Sequence, residues 1–355
     1  MKRSIFNLGG GMIAMLAVAA VGASLVMAGY NPAYVGLAMT ALAMPAQSDS
    51  AWMAVAFGGL TLNAANMGML TQGFKAAFKG GFELTKPMWS QIAMKVPSST
   101  SEEKYAWLGA TTKFREWVGE RIYQNLKTHG YAISNKDFEN TVAVPRNSID
   151  DDQYGVYTPL MTQLGQDAAL HPDELVFALL AAGFTTTCYD GQFFFDTDHP
   201  VGLQGSEASV SNFQAGGGSA WYLLDTSKVL KPIILQMRKD YQFVSKTNVT
   251  DDNVFDRKEY VYGVDGRLNV GYGLWQQAFA SKAALDVTNY AAARTAMMSF
   301  KSDGGKPLAI TPKLLLVSPN NEKAALDVIQ AERLANGATN TYRNTAEVVV
   351  CPWLS

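Results

Sequence analysis

The chain has 355 residues, 48% of them hydrophobic and 17% charged. That is enough apolar side chain for two compact cores or one large one, and too much for a disordered chain. A net charge of −2 gives no basic field for tight nucleic-acid binding.

The N-terminal stretch is almost uncharged, with Asp49 the single charge between Arg3 and Lys75. Lys2 and Arg3 precede an apolar run at 12–27, and Ala43-Met-Pro-Ala has the form of a small-residue cleavage site, the layout of a secretory signal. As a membrane span the run is short, since about 20 apolar residues are needed. The other reading of residues 1–58 is a Gly-, Ala- and Met-rich arm that buries itself against neighbouring chains. Residues 64–82 place Met67, Leu70, Phe74 and Phe78 on one face, which predicts an amphipathic helix.

From 105 to 147 aromatic and charged residues mix. Alternating, β-branched runs flank Ser134-Asn-Lys-Asp, and this predicts a β-hairpin over 118–147 that turns at 134–137 and extends from the core. Tyr157, Leu160, Met161, Leu164 and Ala168 then follow helical spacing. His171-Pro-Asp-Glu restarts a helix with proline at its first position, and Leu175, Val176, Leu179 and Leu180 form its buried stripe up to Gly183. Together these predict a kinked helical rod over about 152–183. Strands are expected at 220–224, 233–237, 259–264 and 273–279, a helix at 288–300, a strand at 314–317, a helix at 318–335 and a strand at 347–350. This is an α+β pattern with a β-α-β unit at the C-terminal end.

Residues 183–202 are the richest in chemistry. They place Asp190, Asp196, Asp198 and His199 around three consecutive phenylalanines. Asp196, Asp198 and His199 offer three metal ligands in four residues, but no second histidine is near, since His129 and His171 sit in other elements. The same residues serve equally as a turn, with aspartate bonding backbone amides and Pro200 closing the bend. No Gly-x-Ser-x-Gly elbow is present, Cys188 has no motif around it, and the glycines at 216–218 lack the lysine of a phosphate loop. Two distant cysteines, Cys188 and Cys351, make no disulfide framework, and buried free thiols are expected. The turn reading is favoured, and the lack of a convincing active site points to a structural role.

Several blocks occur in a fixed order: Tyr105-Ala-Trp-Leu-Gly with Arg115-Glu-Trp-Val-Gly, Asn135-Lys-Asp-Phe-Glu, Asp151-Asp-Gln-Tyr-Gly-Val-Tyr, His171-Pro-Asp-Glu-Leu, Cys188-Tyr-Asp-Gly-Gln-Phe-Phe-Phe-Asp-Thr-Asp-His-Pro and Gly304-Gly-Lys-Pro-Leu. From about residue 62 to 354 the chain resembles the Mu-like bacteriophage major head subunit (T protein) family. The resemblance implies an α+β capsid fold of the Hong Kong 97 type. Its parts would be an N-terminal arm (59–104, after the extension 1–58), an extended hairpin loop (105–150), a peripheral domain with a spine helix (151–310) and an axial unit (311–355). It implies a non-enzymatic virion protein that assembles with itself into pentamers and hexamers of an icosahedral shell. Portal and scaffold or protease proteins would be partners during assembly in the host cytoplasm. Packaged double-stranded DNA would be touched weakly, and no stable membrane association is expected. No cofactor or metal is called for. Trp117, Arg121, Tyr131, Phe138 and Glu139 are the candidate inter-subunit contacts. The alternatives are a secreted or periplasmic metal-dependent hydrolase using Asp196, Asp198 and His199, and a virion decoration protein.

Overall fold

A computed structural model describes residues 64–105, 108, 130–151, 153–202 and 205–354. Residues 67–149 and 153–355 fall into one unit. In chain order its elements are α1 (Ala64–Leu84), β1 (Ala93–Pro97), β2 (Glu102–Lys104), β3 (Ala132–Ser134), β4 (Lys136–Pro145), α2 (Arg146–Asp150) and α3 (Thr158–Ala181). There follow β5 (His199–Val201), β6 (Ala208–Val210), β7 (Phe213–Gln214), β8 (Trp221–Leu224), β9 (Ile233–Lys246), α4 (Asp252–Arg257) and β10 (Glu259–Tyr272). The chain ends with β11 (Ala278–Ser281), α5 (Val287–Met298), β12 (Leu314–Val317), α6 (Glu322–Ile329) and β13 (Glu347–Val350).

Two sheets organise these elements. The first has the order β1-β9-β10-β4, with β1 parallel to β9 and the rest antiparallel. The second has the order β13-β12-β8-β11-β7. Strands β12 and β13 pair in parallel across α6, which is the β-α-β unit the sequence predicts. Strands β8 and β12 are buried along their whole length, as their unbroken apolar runs require. Because β8 and β11 join the C-terminal strands while β9 and β10 leave for the other sheet, the chain crosses between sheets well before residue 310. A boundary there does not divide the sheets.

Strands β9 and β10 are far longer than predicted. The first four residues of β9 are fully buried, and the remainder alternates between half-buried and exposed. Its Tyr241 and Phe243 face the helices. Phe78 of α1 lies 5.4 Å from Phe243, and Phe74 meets Tyr262 of β10 edge-on at 5.1 Å. The apolar stripe predicted for α1 is therefore its docking face, with Met67, Phe74 and Phe78 buried.

The predicted rod is a single α-helix, α3, which runs through Pro172 without a break. The proline restarts nothing: it is buried inside the helix, and its neighbour Asp173 makes the useful contact. The Asp173 carboxylate accepts from the backbone N–H of Met88 (2.9 Å) and Trp89 (2.6 Å), which ties the connection after α1 to the helix. Burial raises its pKa above the ordinary value, and these two bonds offset part of that effect. Gly183 does not cap the helix in a left-handed conformation. It leaves room for the Phe195 ring, which would stand 2.7 Å from an added Cβ.

The predicted turn at 134–137 is not a hairpin turn. Strand β3 pairs with β2, and β4 pairs with β10. Asn135 passes the chain from one pair to the other. Its Oδ1 accepts from Gln236 Nε2 (2.8 Å), and its Nδ2 donates to the Ser98 hydroxyl (2.8 Å). Gln236 also donates to the Ile133 carbonyl and accepts from the Tyr105 hydroxyl. A polar sequence that reads as a turn is thus a largely exposed crossing, anchored at the half-buried Asn135 by side-chain hydrogen bonds. The predicted strand at 273–279 opens as a 3-10 turn, Trp275–Gln277, before β11. The helix predicted at 318–335 is only α6, preceded by the 3-10 turn Pro319–Asn321.

The backbones of α1 and α3 touch. An added Cβ on Gly165 would stand 2.0 Å from the Phe78 carbonyl oxygen, and one on Gly81 would stand 2.0 Å from that of Thr162. Gly165→Ala is expected to lower stability by about 1–3 kcal/mol through overpacking. Gly68→Ala, whose Cβ would meet nothing within 4 Å, should leave it unchanged or slightly raised. Thermal denaturation of the purified subunit compares the two, and equal melting temperatures would disprove the close crossing.

Candidate functional site

The segment after α3 folds back through an antiparallel bridge between Thr187 and Phe193. Cys188 donates its N–H to the Gln192 carbonyl at 2.8 Å, and Gly191 turns the chain with φ +91°. Left-handed backbone of this kind favours glycine. The tight Asp190-Gly191 turn points the Asp190 carboxylate inward. Its Oδ1 accepts from the Cys188 thiol (3.0 Å) and the Gln192 amide (3.1 Å), and its Oδ2 pairs with His199 Nδ1 at 2.7 Å.

His199 opens β5 and is fully buried. Its ring stacks on Trp275, with centroids 4.0 Å apart and planes 9° from parallel. Nε2 faces Asn212 Oδ1 at 3.2 Å. The orientation of that amide follows from its other bonds, since Nδ2 donates to the Phe194 carbonyl (2.8 Å) and Oδ1 accepts from Asp196 N (2.9 Å). Asn212 further binds β11 through its own carbonyl, which accepts from Ala280 N at 3.0 Å. The whole segment is pinned to the second sheet by one buried amide and one buried imidazole.

The three residues proposed as metal ligands do not converge. Asp196 closes its own turn, accepting from Phe193 N and Thr197 N. Asp198 is exposed, and local desolvation followed by the Asp196 charge raises its pKa above the ordinary value. Only His199 enters a cluster, and its partners are Cys188 and Asp190, whose ligand atoms lie within 4.8 Å of one another. Of the phenylalanines, Phe194 and Phe195 are core, whereas Phe193 is 41% exposed.

The chemistry of this cluster is that of a closed network. Burial raises the pKa of the Asp190 carboxyl, but the bonds from His199 and Cys188 and the charge on His199 outweigh that effect and hold it below its ordinary value. Burial, followed by the Asp190 charge, pushes the Cys188 thiol up, away from the thiolate a nucleophile needs. The thiol donates to the carboxylate and not to the imidazole, so no nucleophile–base pair exists. A tetrahedral zinc with bonds of about 2.0–2.1 Å holds nitrogen and oxygen ligands roughly 3.3 Å apart. The imidazole–carboxylate contact is shorter than that, and each ligand atom is already engaged. Cys188 and Cys351 are both free and buried, as expected.

Of the candidate contact residues, Trp117 and Arg121 lie outside the described residues. Tyr131 is committed within its own chain. Its hydroxyl accepts from Tyr272 N (2.8 Å), its carbonyl accepts from Tyr105 N (2.9 Å), and burial pushes its pKa up to about 12. Phe138 is half-buried, edge-on to His171 at 4.5 Å, and Glu139 is exposed beside it. The sequence reading missed the roles of Cys188, Asn212 and Trp275. Only the Asp-Gly turn signals the first of these, because the other two reach the site from 13 and more residues away.

Residues 67–354 match the family profile of the Mu-like prophage major head subunit gpT. The chain belongs to the Mu-like major head subunit family. It is 39% identical to the major capsid protein of Escherichia phage Mu over 305 residues, covering 83% of this chain and 100% of that one. It is 44% identical to the Mu-like prophage FluMu major head subunit of Haemophilus influenzae over 268 residues, covering 73% and 87%. Among solved structures, it is similar to the procapsid of bacteriophage JBD30, with TM-score 0.75 and 44% identity over 82% of this chain and 100% of that one. The head subunit therefore has the α+β capsid fold, and it is a structural protein and not an enzyme. The hydrolase alternative finds no support in the family or in the placement of Asp196, Asp198 and His199.

Asp190→Asn should destabilise the head subunit by about 3–5 kcal/mol, because it breaks one side of a buried pair. The Asp190 carboxyl has a folded value below its unfolded one. Its stabilisation is therefore complete above the ordinary carboxylate range and is lost as pH falls through about 4 and below. Denaturant titrations at a series of pH values should show wild type and variant converging in acid, and parallel curves would contradict this. Elemental analysis should find no stoichiometric metal. About one zinc per chain, lost in Cys188→Ser, would overturn the structural reading of the cluster.

Proposed function

We propose that this head subunit builds an icosahedral shell of pentamers and hexamers around double-stranded DNA. Residues 105–131 would form the extended loop that overlaps a neighbouring copy. The observation that carries the loop reading is the β2–β3 pair. Glu102 opposes Ser134 and Lys104 opposes Ala132, so a long stretch of chain leaves and returns at one point. That base is rigid. Glu103 accepts from Ser99 N and Thr100 N, which with the Ser98 hydroxyl hold its carboxyl at about 2. A loop that extends from the core in this way would not bury both its faces within its own chain, so a neighbour's surface would stabilise it.

In this reading the first sheet with α1 and the spine helix α3 is the peripheral domain, and the second sheet with α5 and α6 is the axial domain. This revises a sequence boundary at 310. The net charge of −2 suits weak contact with packaged DNA. Assembly in the host cytoplasm with portal and scaffold or protease proteins completes the proposal. The apolar leader, residues 1–58, precedes the family match and is read as a low-charge arm retained in the particle. No helix among the described residues is long and apolar enough to cross a membrane. Mass spectrometry of assembled particles tests the arm: an intact N-terminus supports it, and one near Gln47 or between 58 and 75 overturns it.

Replacing residues 110–127 with a short Gly/Ser linker should leave the melting temperature within a few degrees of wild type while particles fail to form. The β2–β3 base keeps both ends of the linker adjacent, so the fold does not depend on the loop. Sedimentation and negative-stain microscopy read the outcome. Normal shells from this variant would remove the loop from the inter-subunit contact.

A further inference from the structure

We propose that a cleft between β4 and the spine helix α3 is a socket for an arginine side chain from residues 113–127 of a second copy of this chain. The inference rests on the shell-building reading above and deepens it by naming one contact. The cleft has a volume of about 230 Å³, and Phe138, His171, Tyr241 and Val264 wall it. The walls brace one another: Phe138 sits edge-on to His171, and His171 Nδ1 lies 2.5 Å from the Tyr241 hydroxyl. Three exposed carboxylates, Glu139, Asp167 and Glu174, stand around the opening, and no lysine or arginine lines it. Among the described residues none of the three forms an ion pair.

Aromatic walls with an anionic rim select a guanidinium over an ammonium. The planar fork bonds carboxylates two at a time, its face stacks on rings, and it sheds water more readily. Charge identifies the occupant. Residues 113–127 carry Lys113, Arg115, Arg121 and Lys127 against only Glu116 and Glu120. Arg115 and Arg121 are the two guanidinium groups of that stretch. The cleft also lies on the spine helix and the edge strand β4, beyond which the sheet has no further strand among the described residues.

The test is charge reversal in the full-length chain, read as particle yield by sedimentation and microscopy. Asp167→Lys with Glu174→Lys should cut the yield at least about tenfold and leave the melting temperature of the unassembled subunit unchanged. Adding Arg115→Glu or Arg121→Glu to that chain should restore particles, and the restoring position names the guanidinium. If the lysine pair unfolds the subunit, Asp167→Asn with Glu174→Gln carries the same test with a smaller fall in yield. Normal assembly of the acid-reversed chain overturns the proposal. So does lost assembly that neither arginine reversal restores, which would assign the cleft to a different protein of the particle. Failure of the wild-type chain to form any particle would instead strike the shell-building reading itself.

Discussion

The pairing of β9 with β10 is the constraint on which the rest of the molecule depends. Their register runs from Ile233 opposite Tyr272 to Lys246 opposite Val261, with an irregularity near Asp265 and Arg267. One end of this ribbon is core and the other is a two-faced sheet. At the core end Ile233, Ile234 and Leu235 are wholly buried, and burying each side chain contributes about 1.5–3 kcal/mol. At the other end only the side bearing Tyr241, Phe243 and Tyr262 is covered. A bare ribbon of that length is marginal in water, so β4 on one edge and the helices on one face are what make it a stable element.

The helices reach that face because side chains are missing where they cross. Gly81 and Gly165 let two backbones approach until carbonyl oxygens occupy the space of absent methyl groups. Asp173 then secures the connection after α1 with two charge-assisted bonds from backbone amides. These contacts fix where α1 lies on α3. The β2–β3 pair, held by Tyr105, Tyr131, Asn135 and Gln236, is set against the same ribbon. Helices α1 and α3 and the β2–β3 pair therefore share one support, which suits a capsid subunit that must keep one geometry in every copy.

The Cys188, Asp190 and His199 cluster shows how residues with catalytic potential become inert. Each of these side chains finds a partner in the cluster or in the neighbouring Asn212 and Gln192, the imidazole stacks on Trp275, and burial raises the thiol pKa and keeps it protonated. A buried pair of this kind is a modest contributor to net stability, but removing either half is costly. It acts as a specification, allowing one arrangement of the segment against the second sheet and penalising others.

The unbroken apolar strands β8 and β12 and the helical stripe of Met67, Phe74 and Phe78 are readable directly, since their burial follows from local composition and period. The order of the motif blocks likewise carries the resemblance to the head-subunit family in the sequence alone. The distal halves of β9 and β10 were not readable, because Arg238, Lys239 and Asp240 look like loop until a helix covers the alternate face. Ser134-Asn-Lys-Asp looked like a hairpin turn because turn propensity is local, whereas Gln236, about a hundred residues away, supplies the bonds that straighten it. The same limit applied to the polar cluster: Asp196, Asp198 and His199 are adjacent in sequence, yet β5 points only the histidine inward. Local sequence determined which residues are apolar, which can turn and which carry chemistry. Tertiary structure decided their partners, because a buried polar group is satisfied by whatever the fold brings within hydrogen-bonding distance, and that distance is not written in the spacing along the chain.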